Sequence, residues 1–458
     1  MKGRHVSITD PIVETAEQLE APFSIAPDAY VSRTYALNER DRLWRKAWLQ
    51  AGREEDIPGP GDFITYDIGD DSVIVLRADD GTLRAFHNVC THRGRRLVDT
   101  PEGRRNARGN RRNFICGFHG WTFDREGQCT FIQHRDDWQG RLDPARTALG
   151  KVRVGAWGGW VWISLDPEGP SLEEWLGPIP EMLDPFRLQD MRCRWRKWIV
   201  FDCNWKVALE AFNETYHVQT THPEFNQFGQ FRGWARNHGL HSNIGYEAPK
   251  GQEQDQAKLR LGSGDDPRIS TAEMQVFTWE NANTNTTRTL VDAALRLKDE
   301  LPEGTPAPDV SAHWLRSARE ADARRGVHWP QVEPAHVARS GTAWQVFPNF
   351  QIGHAVNNML CYAARPHGDD PGKCIFEAAV YELYPEGEAP VTDWEYTPAE
   401  AWPPVLQQDF ANMRAVQQGM KSVGFRGTLP NPYMERAIGS LHLNLARFMG
   451  QGFPQRLD

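Results

Sequence analysis

Hydrophobic and polar positions along the chain fall into three textures. Residues 29–50 place Leu37, Leu43, Trp44, Ala47 and Trp48 on an approximate helical stripe, and Pro58-Gly59-Pro60-Gly61 then ends that segment. From there to about residue 165 the apolar runs are short and β-rich. Phe63–Tyr66, Val73–Leu76, Leu83–Phe86, Phe114-Ile115, Trp121–Phe123, Val152–Val154 and Trp160–Ile163 are separated by turns such as Gly69-Asp70-Asp71 and Asp79-Asp80-Gly81. Short strands joined by tight turns predict a compact antiparallel β domain over 50–165. Beyond Asp166–Pro170 the pattern predicts a helix near 171–184, strands near 192–202 and a helix at 205–218. Strands return at 342–365 and 374–384, followed by an amphipathic helix near 403–422. Residues 250–335 are polar and charged, which predicts a helical or loop-rich insertion. The expected division is a segment 1–49 packing on the larger domain, the β domain 50–165, and a larger α+β domain 166–458.

Size agrees with more than one domain: 458 residues exceed the roughly 250–300 at which one core stops growing. A formal net charge of −9 argues against nucleic acid as the main partner. No apolar run approaches the roughly 20 residues of a membrane span. The N-terminal MKGRHVSITDPIVETAEQ lacks the apolar stretch of a secretory signal, so the expectation is a soluble, cytoplasmic protein. Seven cysteines, an odd and sparse set, then read as reduced thiols or metal ligands.

Two of those cysteines carry the first candidate chemistry. Cys90-Thr91-His92 and Cys116-Gly117-Phe118-His119 each bring one thiol and one imidazole to a loop of the β-rich region. A Cys₂His₂ set suits closed, redox-silent zinc, although zinc fingers usually pair like ligands first. It also suits a [2Fe–2S] centre with two Cys on one iron and two His on the other. The segments Cys90-Thr91-His92-Arg93-Gly94 and Cys116-Gly117-Phe118-His119-Gly120-Trp121 resemble the two ligand loops of Rieske iron–sulfur proteins. Between them, Arg104, Arg105, Arg108, Arg111 and Arg112 form a basic run. It reads either as a docking surface for an acidic electron donor or as a solvated hairpin tip.

The second constellation is Glu210, Glu214, His217 and His222. Glu214 and His217 share a helix face, but His217 and His222 are about 140° apart on an ideal helix. Both can reach one metal only if the helix ends or distorts near Thr220-Thr221. Two histidines and a carboxylate with open positions suit non-haem Fe(II) and O₂. Asn204-Trp205-Lys206, then Glu214-Thr215-Tyr216-His217 and His222-Pro223, resemble the iron segment of Rieske non-haem iron aromatic-ring-hydroxylating oxygenases. The resemblance implies an α+β chain with a small antiparallel β Rieske [2Fe–2S] domain held by Cys90, His92, Cys116 and His119. It also implies a larger catalytic domain, with a curved antiparallel sheet and helices around a mononuclear iron site. His217 and His222 would be iron ligands there. Glu214 would not be one; it would link a neighbouring subunit's cluster to this iron. Leu406-Gln407-Gln408-Asp409 is similar to the family's downstream segment and makes Asp409 the candidate third ligand, with Glu377, Asp393 and Glu395 behind it. The chain departs from the family pattern at Ala211, where Asn is frequent.

No G-x-G-x-x-G fingerprint opens a helix, so electrons are expected from a separate reductase, with or without a ferredoxin. The family implies a homotrimer, or an α₃β₃ assembly with a small β subunit, acting with O₂ on an aromatic substrate. The preferred expectation is the catalytic α subunit of a dioxygenase performing cis-dihydroxylation in aromatic hydrocarbon catabolism. A monooxygenase or oxidative O- or N-demethylase would use the same ligands. An electron carrier with an accessory domain and a zinc-stabilised binding module are the competing classes. Phe212, Phe225, Phe228, Phe231, Trp344 and Phe350 are either lining of an apolar pocket or ordinary core. His87 and His354 read the same two ways.

Overall fold

The computed structural model describes residues 22–252, 261–262, 264–450 and 454–457. The signal-peptide expectation, and residues 1–21 of the N-terminal segment, lie outside these. The helix expected over 29–50 is real but shorter. Asp28–Val31 and Arg33–Glu39 are helical, Arg40–Trp44 widens into a π-helical turn, and Trp48–Arg53 is already a strand. The change follows from what these side chains meet. Trp44 lies edge-on to Trp205 at 4.9 Å, and buried Glu39 takes the Lys206 ammonium at 2.6 Å, so the helical part sits on the larger domain. Trp48–Arg53 instead pairs with Trp160–Ser164.

The small domain holds three antiparallel sheets. Leu83–His87, Asp71–Arg77, Asp62–Ile68 and Arg108–Asn110 form one, and Phe114–Ile115, Thr122–Phe123 and Cys129–Phe131 form the next. Arg153–Trp157, Trp160–Ser164 and Trp48–Arg53 form the third. Phe63, Ile74, Leu76, Phe86, Phe114 and Phe123 build an apolar core that also encloses Cys90 and Cys116.

Among the described residues the larger domain is built on a sheet of eight strands. Their order is Arg232–His238, His241–Glu247, Ala343–Val346, Phe350–His354, Asn358–Pro366, Cys374–Glu382, Arg192–Phe201 and Glu395–Tyr396. All neighbours are antiparallel except the last pair, so the expected antiparallel sheet is in fact mixed. The 250–335 region carries helices Pro267–Asn281, Arg288–Glu300 and Ala307–Arg324, capped by Asp266 and Thr287 and packed through Leu290, Leu297, Val310 and Trp314. Among the described residues no helix is long and apolar enough to cross a membrane.

One continuous apolar core joins the two domains. Trp160 and Trp162 of the small domain meet Phe350 edge-on at 5.3 and 5.9 Å. Phe350 and fully buried Trp344 are therefore core residues. His354 is likewise enclosed, edge-on to Phe186 and bonded to Ser340.

The arginine run also belongs to this junction. Arg105 forks onto Glu377 at 2.8 and 2.9 Å, and Arg365 binds the same carboxylate, with all three side chains at most 3% exposed. Burial alone would raise the Glu377 carboxyl; the two guanidiniums overturn that and hold it down at about 2. Arg104 and Arg108 reach Asp393 at 2.9 and 3.4 Å. Three of the five arginines thus clamp domain to domain, so the run is not simply a solvated tip. Glu377 and Asp393 are committed to them, and Glu395 is an exposed partner of Lys197.

Candidate metal centres

The two Cys–His loops are folded alike. Cys90 N–H donates to the Arg95 carbonyl at 2.8 Å and Gly94 N–H to the Cys90 carbonyl at 3.0 Å. Cys116 N–H donates to Trp121, and Gly120 to Cys116, at the same two distances. The fifth residue of each loop must take a left-handed conformation, with φ of 78° at Gly94 and 73° at Gly120, which is why glycine stands at both. The loops bring the His92 and His119 rings to 4.6 Å, and His92 stacks on Trp121 at 4.9 Å and 5°.

Buried Nδ1 of His92 has no hydrogen-bond partner among the described residues. Burial, together with the neighbouring Cys116 thiol, pushes the Cys90 thiol up to about 11. An orphaned imidazole nitrogen beside two buried thiols fits a cluster bound through two Cys and two His better than a plain apolar core.

The second centre is assembled from distant parts. Asn204 caps the helix Trp205–Glu210 by accepting from Lys206 N–H at 3.0 Å. The predicted helix does not run on to 218: it stops at Glu210, the chain turns through Phe212–Thr215, and a single helical turn Val218–Thr221 follows. His217 precedes that turn, and His222 ends it with φ −121° and ψ 64°. This break converts a poor helical spacing into a convergent pair. Asp409, 4% exposed, enters from the helix Pro404–Gly419.

Asp409 Oδ1 lies 3.1 Å from His222 Nε2 and 3.5 Å from His217 Nε2, and the donor atoms of the three residues lie within 4.8 Å of one another. The outer nitrogen of each ring is tied down. His217 Nδ1 meets Glu214 Oε1 at 2.5 Å and His222 Nδ1 meets Gln408 Oε1 at 2.6 Å, which aims both Nε2 atoms at Asp409. Burial lowers the basicity of His217, but the Glu214 hydrogen bond and charge, with Asp409, outweigh it and raise the ring overall. Two imidazoles and one carboxylate on one side of a small space fit an iron with open positions. Glu214 is 7% exposed, and its second oxygen accepts from the Tyr216 and His217 backbone N–H groups.

The remaining aromatic candidates divide. Phe212 stacks on Tyr362 at 3.9 Å, Phe225 lies edge-on to His222 at 6.1 Å, and Phe231 lines a cavity of about 490 Å³ that opens beside His217. Phe228 lines a separate groove of about 570 Å³ with Phe277, Ile269 and Leu295. Gln408 was not singled out from the sequence; its signal was its place next to a candidate ligand. Of the triangle of Tyr30, Glu210 and His442, with His442 Nε2 2.6 Å from Glu210, the sequence singles out Glu210 alone, since its partners are far along the chain. His87 is half-buried, its backbone N–H bonded to Gly150.

Comparison with known proteins follows the same division. Residues 47–140 match the family model for the Rieske [2Fe–2S] domain, and 188–451 match that for the ring hydroxylating alpha subunit (catalytic domain). The glycine betaine monooxygenase oxygenase subunit of Chromohalobacter salexigens is 33% identical over 192 residues, covering 42% of this chain and 41% of that protein. The large oxygenase component of the naphthalene 1,2-dioxygenase system of Pseudomonas aeruginosa is 34% identical over 198 residues, 42% and 43% of the two chains. The matched part is thus under half the length of either relative. Among solved structures, a quaternary ammonium Rieske monooxygenase in complex with L-carnitine superposes with TM-score 0.62 at 17% identity, covering 96% of this chain and 100% of that one. Naphthalene 1,2-dioxygenase from Rhodococcus sp. bound to indole gives 0.58 at 18%, covering 96% and 97%. At such identities the likeness is one of fold.

Proposed function

The chain belongs to the ring-hydroxylating alpha-subunit family of Rieske non-haem iron oxygenases, and from that premise we propose that it is a terminal oxygenase component acting on an aromatic substrate. Its cofactors are a Rieske-type [2Fe–2S] cluster and a mononuclear iron. In this reading Cys90 and Cys116 hold one iron of the cluster and His92 and His119 the other, while His217, His222 and Asp409 hold the mononuclear iron. The observation that carries it is the aim of two fixed Nε2 atoms at one buried carboxylate. The cluster supplies electrons one at a time, and the iron supplies O₂ activation beside the bound substrate.

The chain's own residues do the rest. Glu214 and Gln408 orient the two rings, and Glu214 spends its second oxygen on the Tyr216 and His217 backbone, which locks the turn that carries both. Thr215, Tyr216 and Phe231 surround the cavity beside His217, where a neighbouring subunit's cluster domain would sit in a trimer, with or without a small β subunit. A separate reductase, directly or through a ferredoxin, would feed the cluster in the cytoplasm. The division into 1–49, 50–165 and 166–458 belongs to the same proposal.

Ring cis-dihydroxylation adds both oxygen atoms and consumes two electrons and two protons. Monooxygenation or oxidative demethylation draws on the same two electrons but releases one oxygen as water, so electron consumption does not separate them. This second reading is favoured by the similarity to the betaine monooxygenase subunits. The test is a single turnover: protein purified without air, reduced chemically, then given O₂ with aromatic, methoxylated and N-methylated compounds. A product gaining two oxygens and two hydrogens supports dihydroxylation. One added oxygen, or lost methyl with formaldehyde, moves the chain to the second reading.

A further inference from the structure

The large sheet has two unlike faces. On one, Trp344, Val346, Phe350, Ile352 and Cys361 belong to the apolar core shared with the small domain. On the other, the register sets Ser242 opposite Gln345, Gln345 opposite Gln351 and Gln351 opposite Tyr362. Directly paired residues share a face, so this is a polar row across four strands. Its members are between 0% and 8% exposed. The row leads towards the His217–His222–Asp409 triad. Gln351 Nε2 donates to the Phe212 carbonyl, the Phe212 ring stacks on Tyr362 at 3.9 Å, and the Tyr362 hydroxyl feels the Asp409 charge.

Three side chains here have no hydrogen-bond partner among the described residues. They are Gln345 at both Nε2 and Oε1, Asn213 (next to Phe212) at both Nδ2 and Oδ1, and Ser242 at Oγ. Asn213 and Ser242 are 0% exposed and Gln345 2%. Buried polar atoms are almost always paired, because an unpaired one forfeits its hydration for nothing. Two whole carboxamides left open, one in the row and one beside the Phe212 that Gln351 holds, point to a ligand that pairs with them. A carboxamide presents a donor and an acceptor side by side. Its complement is another neutral donor–acceptor edge.

We propose that Gln345, with Asn213 and Ser242, forms a substrate-recognition subsite that selects a ring compound with an uncharged donor–acceptor edge, of the lactam or carboxamide class, over the bare hydrocarbon. This rests on the triad being the reaction centre and deepens that reading. Gln345 lies two strand spacings, about 10 Å, from Tyr362, with Gln351 between them on the same face, so the length of a fused bicyclic ring matches the distance from the recognition edge to the Tyr362 end of the row.

The experiment titrates the metal-loaded protein, without air, with quinolin-2(1H)-one and with its hydrocarbon isostere naphthalene, following binding by tryptophan fluorescence. The wild type is expected to bind the lactam about 10-fold or more tighter. Gln345→Leu removes that preference by weakening the lactam and not the hydrocarbon, and Ser242→Ala, a milder change, weakens the lactam less. Equal affinities in the wild type, no lactam binding, or lactam affinity unchanged in both variants overturns the proposal. The same samples are then reduced and given O₂. Oxygenated naphthalene without lactam preference discards the subsite and keeps the oxygenase reading. Tight lactam binding with no oxygenated product from either compound keeps the subsite and discards that reading.

Discussion

At the proposed cluster end, four candidate donor side chains come from two short loops, each closed by the same pair of backbone hydrogen bonds and the same left-handed glycine. At the iron end, three donors come from a broken helix and from another helix far along the chain, and side chains hold them: Glu214 on His217, Gln408 on His222. The first centre is shaped by local backbone, the second by tertiary packing. The two should therefore fail differently, and variants at one should leave the other standing.

The strongest test is His217→Ala. Mononuclear iron and product formation are expected to be lost, while the cluster's visible absorption persists; iron content and absorbance read both. If the cluster is lost as well, the two centres are not independent. Glu214→Ala frees His217 Nδ1 and so should weaken iron binding, but with iron supplied in excess it is expected to keep both metals yet uncouple cluster oxidation from product, measured by rapid mixing of reduced protein with O₂ and substrate. Normal turnover in that variant would sink its bridging role. Gln408→Leu frees one imidazole without removing a ligand, so iron affinity should fall about 10- to 100-fold with the cluster unchanged, as read by chelator competition.

The smallest effect on chemistry is expected from Glu377→Gln, which acts on the joint between the regions. Leaving Arg105 and Arg365 without their carboxylate should cost about 3–5 kcal/mol of stability, seen as a lower denaturation midpoint. The Glu377 carboxyl is held near 2 in the folded chain, below its value of 4.5 when free. Its contribution is therefore full above about 4.5 and is lost as pH falls towards 2. The gap between wild type and variant should close over that window; a gap independent of pH there would mean that the charge of Glu377 is not what matters.

The contrast also explains what could be read from the chain. Cys90, His92, Cys116 and His119, proposed to hold the cluster, were legible because their short spacings within two loops single them out. His217 and His222 were legible only with the condition that the helix break near Thr221, and it does. Asp409 emerged through resemblance, since nothing local ties residue 409 to residue 217. Gln408, and the pairing of Arg105 with Glu377, stayed hidden because each depends on a partner far along the chain. Trp344 and Phe350, read from the chain as either pocket lining or core, are core for a simple reason. Along a strand one step reverses the face, so Gln345 and Gln351, not their aromatic neighbours, look towards the iron side.

The Arg105–Glu377–Arg365 clamp bears on how this molecule can be re-engineered. A chimera whose donor small domain lacks an arginine at the position of Arg105 still keeps the acceptor at 377. Glu377 would then keep Arg365 alone, whereas the converse graft, without a carboxylate at 377, would leave Arg105 and Arg365 as two buried cations with no anion between them. Grafts cut between the domains should succeed when the arginine and the glutamate travel together, and fail at assembly, before any electron moves, when they are separated.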